Sequence, residues 1–325
     1  MKTICILLII ILILYLYSIK PRLFHRPDYS ILKGYYYAHR GLHNMNPSRP
    51  EQTKGNIPEN SYTAIQKAVE QGYGVEFDVH LTKDSIPVVF HDDSLERVCG
   101  VAGNLRDYTY EELQQFSLLG TNEKIPAFTD ILNMVNGRVP LIIEYKVENG
   151  NANQLCSICN AILADYNGPY CIESFHPLAV HWYRTHRPDI IRGQLSEDFT
   201  HEKLTLPRFL FSHLIGNFYG APDFVAYNCM HYNEISRRLC GSLYHCLKVA
   251  WTVRSKEQMS KVSPYYDLYI FEDFLPLNQC NYSEPPAQNR CFTAFLDNKF
   301  TCYLLIVVTS PYKLGRICMA LNSYK

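Results

Sequence analysis

Apolar positions follow two different patterns along this chain. From Ile4 to Ile19 they run almost unbroken, with Ser18 the main interruption. A run of about 16 residues makes about 24 Å of helix, slightly short of the roughly 20 residues that span a bilayer. Lys2 and Lys20 flank the run, and snorkelling of such side chains closes a gap of that size. A cleaved signal peptide carries a similar run but ends in small residues. The exit here reads Tyr17-Ser18-Ile19-Lys20-Pro21-Arg22 and offers no such site. The pattern predicts one uncleaved N-terminal transmembrane helix over residues 1–20 and a juxtamembrane linker over 21–34.

Beyond Tyr35, short apolar runs alternate with helical periodicity. The strand-like runs are Tyr35–His39, Val75–Leu81, Pro87–His91, Pro140–Tyr145, Tyr170–Phe175, Ile190–Leu195, Phe224–Tyr227, Val249–Val253 and Leu268–Phe271. Several are close to continuously apolar, as in strands covered on both faces. Among the helical patterns, one opens at Asn60 as N-cap, places Ala64, Ile65, Ala68 and Val69 on one face, and stops at Gly72. Such alternation points to a parallel α/β sheet or a (β/α)8 barrel over residues 35–276. Nine strands are one too many for that barrel. The link Lys83-Asp84-Ser85-Ile86 is too short for a parallel crossover, so Pro87–His91 turns back on Val75–Leu81 as an extra hairpin after strand 2. Pairing Thr82 with Pro87 sets Asp78 opposite His91. Eight parallel strands remain.

Composition narrows the function. Lys plus Arg number 31 and Asp plus Glu 31, so the net charge is zero and a nucleic-acid binder is disfavoured. With 47% apolar and 19% charged residues the chain is not broadly disordered. Of twelve cysteines, Cys5 lies in the apolar run, and the remaining eleven cannot all pair. Together with Lys20, Arg22 and Arg26 after the run, this favours a cytosolic barrel on a single-pass membrane protein. Cys156-x-x-Cys159 has no second pair and reads as structural. His176, His181 and His186 lie five apart, about 140° out of phase on a helix, and do not share a metal. Residues 277–325 break the alternation; Cys302–Val308 is too short to span, and Asn281-Tyr282-Ser283 is a lone sequon.

Polar residues gather at the strand ends, where a barrel builds its active site. Strand one ends in His39-Arg40-Gly41. Glu76 and Asp78 are two apart and share a face, as do Glu144 and Lys146. The hairpin ends in His91-Asp92. Three carboxylates converging in a barrel mouth repel unless a cation neutralises them, and an all-oxygen set suits Mg2+ or Ca2+ rather than zinc. Two histidines supply an acid and a base near neutral pH. Arg40 and Lys146 offer charge for an anionic substrate such as a phosphate. Taken singly, each group has a structural explanation as a cap or an ion pair; jointly, so much charge at one end of a sheet is costly without a ligand.

These words resemble the glycerophosphodiester phosphodiesterase family. The matches are His39-Arg40-Gly41, Pro58-Glu59-Asn60-Ser61, Glu76-Phe77-Asp78-Val79 with Leu81-Thr82-Lys83-Asp84, Val88-Val89-Phe90-His91-Asp92, Ile143-Glu144-Tyr145-Lys146, Ser174-Phe175 and Trp251-Thr252-Val253. They stand in the family's order across residues 36–274. The resemblance implies a TIM-type barrel and a divalent cation, Mg2+ or Ca2+, on Glu76, Asp78 and Glu144. It implies His39 and His91 as the acid–base pair, with Arg40, Asn60 and Lys146 near the phosphate. Glu59 is implied as a further ligand or a supporting group, and Trp251 as lining the alcohol end. Two words depart from the pattern. Leu268-Tyr269-Ile270-Phe271-Glu272-Asp273 stands where DGIITD is usual, and Arg254 follows the Trp-Thr-Val word where Asn is common. The polar loop from His43 to Ile57 reads as a lid. The expected reaction is hydrolysis of a glycerophosphodiester to an alcohol and glycerol 3-phosphate. The alternatives are a lysophospholipid substrate and a non-catalytic barrel that binds phosphodiesters at the membrane.

Overall fold

The computed structural model describes residues 2–45, 54–201 and 205–277. Its strands are β1 (Tyr36–His39), β2 (Gly74–Leu81), β3 (Pro87–Val89), β4 (Leu141–Tyr145), β5 (Tyr170–Ser174), β6 (Arg192–Ser196), β7 (Phe224–Asn228), β8 (Leu247–Val253) and β9 (Leu268–Phe271). Each expected strand is present to within two residues at either end. β1 pairs in parallel with both β2 and β9, which closes the sheet into an eight-stranded parallel barrel. β3 lies antiparallel on β2 outside that ring.

The strand alternation separates two cores. Val75, Phe77 and Val79 of β2 and Leu141, Ile143 and Tyr145 of β4 face the helices, where they meet Ala68, Ile131, Leu155 and Tyr183. Fully burying a side chain of this kind is worth about 1.5–3 kcal/mol. The alternate positions fill the barrel. Tyr37, Ile142, Cys171, Phe224 and Leu268 make its apolar floor together with Leu32. Further along the same faces come Glu76, Asp78, Glu144 and Glu173, all buried. One strand period thus seals the bottom with hydrocarbon and loads the top with charge.

Three local expectations are corrected. The helix after β1 is α2 (Tyr62–Glu70), and its N-cap is Ser61, one residue beyond Asn60. Ser61 Oγ accepts from the Ala64 N–H at 3.1 Å. The Asn60 carboxamide is engaged elsewhere, with Asp78. The hairpin register is also one residue off, because Leu81 rather than Thr82 opposes Pro87. Thr82 pairs with Ile86 around a three-residue loop in which Ser85 is left-handed, at φ 64°. Phe90 is therefore opposite Asp78, its N–H donating to the Asp78 carbonyl at 3.1 Å, and His91 falls one position further on.

The third correction concerns the membrane span. The apolar run forms α1 (Lys2–Ser18), yet no helix among the described residues is long and apolar enough to cross a membrane. Its last turn belongs to the barrel instead. Tyr15 Oη bonds Ser236 Oγ at 2.7 Å, Tyr244 Oη donates to the Leu16 carbonyl at 2.8 Å, and Ile19 is fully buried. The exposed apolar stretch is Ile4–Leu14, about 16 Å of helix against a hydrocarbon core of about 30 Å. Residues 21–34 are pinned too. Arg22 donates to the Pro188 carbonyl at 2.8 Å, and Arg26 to the Tyr244 and His245 carbonyls at 2.6 and 2.8 Å. The tail beyond Leu277, with Asn281 and Cys302–Val308, and the loop centre 46–53 lie outside the described residues.

Candidate active site

Parallel pairing brings the acids together. Asp78 is level with Glu144, Glu144 with Glu173, and His39 with Glu76. Oxygens of Glu76, Asp78 and Glu144 lie within 4.8 Å of one another. Burial and the neighbouring Asp78 push the Glu76 carboxyl well above its ordinary range. Burial raises Glu144 to about 7, against the pull of Lys146. Burial acts on Asp78 the same way, but Lys146, His91 and Arg40 overcome it and hold that carboxylate well below its usual range. Lys146 Nζ sits 2.9 Å from Asp78 Oδ1 and 2.6 Å from Glu144 Oε1. Three clustered, water-poor carboxylates are a donor set that fits a hard divalent cation.

A tight turn after β1 arranges the next layer. Arg40 and Gly41 both have positive φ, 54° and 79°. A Cβ on Gly41 would lie 2.6 Å from the Ala64 carbonyl carbon, so only glycine lets α2 pack this close. The Arg40 N–H donates to Glu76 Oε2 at 3.1 Å, and its guanidinium lies 2.6 Å from Glu59 Oε1 and 3.4 Å from Asp78 Oδ2. Asn60 Nδ2 donates to Asp78 Oδ2 at 2.8 Å. Both Glu59 oxygens accept from guanidinium groups. Arg97 binds both oxygens, at 2.9 and 2.7 Å, so the carboxylate bridges two guanidiniums. Despite burial, Arg40 and Arg97 hold its carboxyl at about 2.

Each histidine has a carboxylate behind it. His39 Nδ1 is 2.7 Å from Glu272 Oε2, and His91 Nδ1 is 2.5 Å from Asp92 Oδ1. Arg97 in turn grips Asp92 through Nε at 2.5 Å. With both Nδ1 atoms engaged, each ring keeps Nε2 for chemistry. Burial and the adjacent Arg40 lower the His39 pKa; burial and Lys146 lower His91 to about 4. His39 is level with Glu76, and His91 directly follows Phe90, whose N–H bonds the Asp78 carbonyl, so both histidines stand at the same strand ends as the acids. Trp251 packs edge-on to Phe175 at 5.5 Å and stands one shell back from the aromatic cavity beside Glu144.

The residues singled out from sequence thus come to one end of the barrel, and three others join them unannounced. Glu272 lies in the departed last-strand word, which was the available signal. Arg97 follows His91 by six residues, in Ser94-Leu95-Glu96-Arg97, but only tertiary pairing reveals its role. Glu173 has a buried Oε2 without a hydrogen-bond partner and pairs in register with Glu144; it precedes the Ser174-Phe175 word.

The glycerophosphoryl diester phosphodiesterase family model matches residues 39–266. A glycerophosphodiester phosphodiesterase of Bacillus altitudinis is 34% identical over 120 residues, 35% of this chain and 44% of its own length. Human glycerophosphodiester phosphodiesterase 1 is 26% identical over 147 residues, 41% of this chain and 44% of that protein. The chain therefore spans less than half the length of these curated relatives. Among solved structures, an Oleispira antarctica phosphodiesterase in complex with sn-glycerol 3-phosphate superposes with a TM-score of 0.59 at 21% identity, covering 76% of this chain and 95% of that one. A Thermotoga maritima glycerophosphodiester phosphodiesterase gives 0.54 at 22%, covering 73% and 94%. These two share the closed barrel. With its model matched over most of the barrel, the chain belongs to the glycerophosphoryl diester phosphodiesterase family.

Proposed function

We propose that this barrel hydrolyses glycerophosphodiesters to an alcohol and glycerol 3-phosphate. One observation carries the reading: two imidazoles, each backed by its own carboxylate, stand at the same strand ends as three carboxylates within 4.8 Å of one another. A divalent cation, Mg2+ or Ca2+, held by Glu76, Asp78 and Glu144 would neutralise phosphate charge when bound. Lys146 and Arg40 add positive charge where the pentacoordinate transition state gains negative charge. One imidazole Nε2 takes the proton of the attacking hydroxyl, from water or a neighbouring glycerol hydroxyl. The other protonates the departing alkoxide. Glu272 and Asp92 hold the rings at Nδ1, so each begins from a fixed orientation. His39→Ala and His91→Ala should each lower kcat on glycerophosphocholine by about a hundredfold or more. Wild-type turnover in both variants would leave a phosphodiester-binding barrel without catalysis.

A second reading concerns the alcohol. A cavity of about 510 Å3 beside Glu144 and Lys146 is lined by Phe175, Phe199, Phe211 and Val147. An aromatic wall of this kind suits an apolar group, which favours a lysophospholipid over a small polar head group. The exposed apolar length of α1 supports placing the barrel against a lipid surface. Parallel assays on glycerophosphocholine, glycerophosphoethanolamine, glycerophosphoglycerol and lysophosphatidylcholine rank the substrates. Flotation with liposomes, with and without residues 2–14, tests the surface.

A further inference from the structure

A second cluster of metal-type donors lies one step outside the catalytic centre. His80, at the end of β2, is completely buried, and its Nε2 meets the His91 carbonyl at 2.9 Å. A carbonyl only accepts, so Nε2 donates to it, and the short contact made by Nδ1 holds a shared proton whose place an ion would take. That Nδ1 is 2.5 Å from Glu148 Oε1. Asp93 completes the group, with one donor atom from each of His80, Asp93 and Glu148 lying within 4.8 Å of the others. Asp93 also lines the aromatic cavity, which gives an ion a way in. Arg106 lies 3.7 Å from Glu148 Oε2, at the exposed side of the cluster.

We propose that His80, Asp93 and Glu148 form a second divalent-cation site, separate from Glu76, Asp78 and Glu144, that takes a zinc-class ion. The donor sets explain the division. Three carboxylates prefer a hard ion, whereas an imidazole with two carboxylates suits a borderline ion such as Zn2+ or Co2+ and leaves a fourth position for water. The site acts by positioning. An ion on Nδ1 fixes the ring whose other nitrogen bonds the His91 main chain, and so ties the catalytic histidine to β2. Binding of the ion depends on the donors alone, whereas its positioning role rests on the hydrolytic reading of His91.

The test uses the full chain saturated with Mg2+ and titrated with Co2+. One further equivalent of Co2+ should bind, with visible d–d absorption that reports a nitrogen ligand. Asp93→Asn should weaken that binding at least tenfold, and His80→Gln should change the spectrum as well. Asp93 is exposed, so its variant should fold as wild type does, and circular dichroism checks this. Glu144→Gln should leave the Co2+ signal unchanged while abolishing turnover, which keeps the two centres distinguishable. Failure to retain Co2+ over excess Mg2+ would overturn the proposal. So would a Co2+ signal indifferent to Asp93→Asn, or one lost with Glu144→Gln.

Discussion

Glu59 offers the sharpest energetic test, because its carboxylate joins two guanidiniums in a buried setting. Glu59→Gln keeps the shape and removes the charge. The carboxyl falls from 4.5 to about 2 on folding. At about 1.4 kcal/mol per unit, that difference corresponds to about 3 kcal/mol of stability at neutral pH. Breaking a buried pair by removing one partner costs about 3–5 kcal/mol, so two routes agree. For a barrel of this size the melting point should fall by about 10 °C. The pH dependence has a definite sign. A depressed carboxyl contributes fully above its unfolded value of 4.5 and loses the contribution as pH falls toward about 2. The gap between wild type and Glu59→Gln should therefore be constant from pH 8 to 6, shrink to roughly half near pH 3, and close below that. Urea denaturation at each pH, with both proteins in the same buffers, measures it. A gap under about 1 kcal/mol at pH 7, or one independent of pH, would refute the account of Glu59 as an electrostatic bridge.

Glu272→Gln should lower kcat by about tenfold to a hundredfold with little change in KM if it acts through His39, whose Nδ1 it bonds; an unchanged kcat removes Glu272 from the mechanism. Dialysis against EDTA should abolish turnover and Mg2+ or Ca2+ should restore it, whereas activity that survives chelation contradicts a cation on Glu76, Asp78 and Glu144. Phe211→Ala should raise KM for lysophosphatidylcholine several-fold and leave glycerophosphocholine unaffected; equal effects on both would argue against an apolar subsite.

The strands were legible because each combines an apolar run with polar residues at one end. Counting crossover lengths was enough to find the hairpin. Its register was not legible, since a three-residue and a four-residue loop both suit Lys83-Asp84-Ser85-Ile86, and only the left-handed Ser85 decides between them. Asn60 and Ser61 are both good caps, and the choice turned on Asp78, distant in sequence, claiming the Asn60 amide. Glu272, Arg97 and Glu173 escaped notice for the same reason: a charge reads as solvated surface until folding supplies the neighbour that buries it. In α1 the apolar count was right, but nothing local marks where the helix leaves open surroundings and docks on Ser236 and Tyr244.

The missing carbon at Gly41 has an outcome beyond tolerance of a sharp bend. Whatever displaces α2 from β1 also drags the loop entering that helix, which carries Asn60, off Asp78. A single methyl introduced there would act as a wedge, disabling a carboxylate it never touches. Loss of function without loss of folding is the outcome to look for at that position.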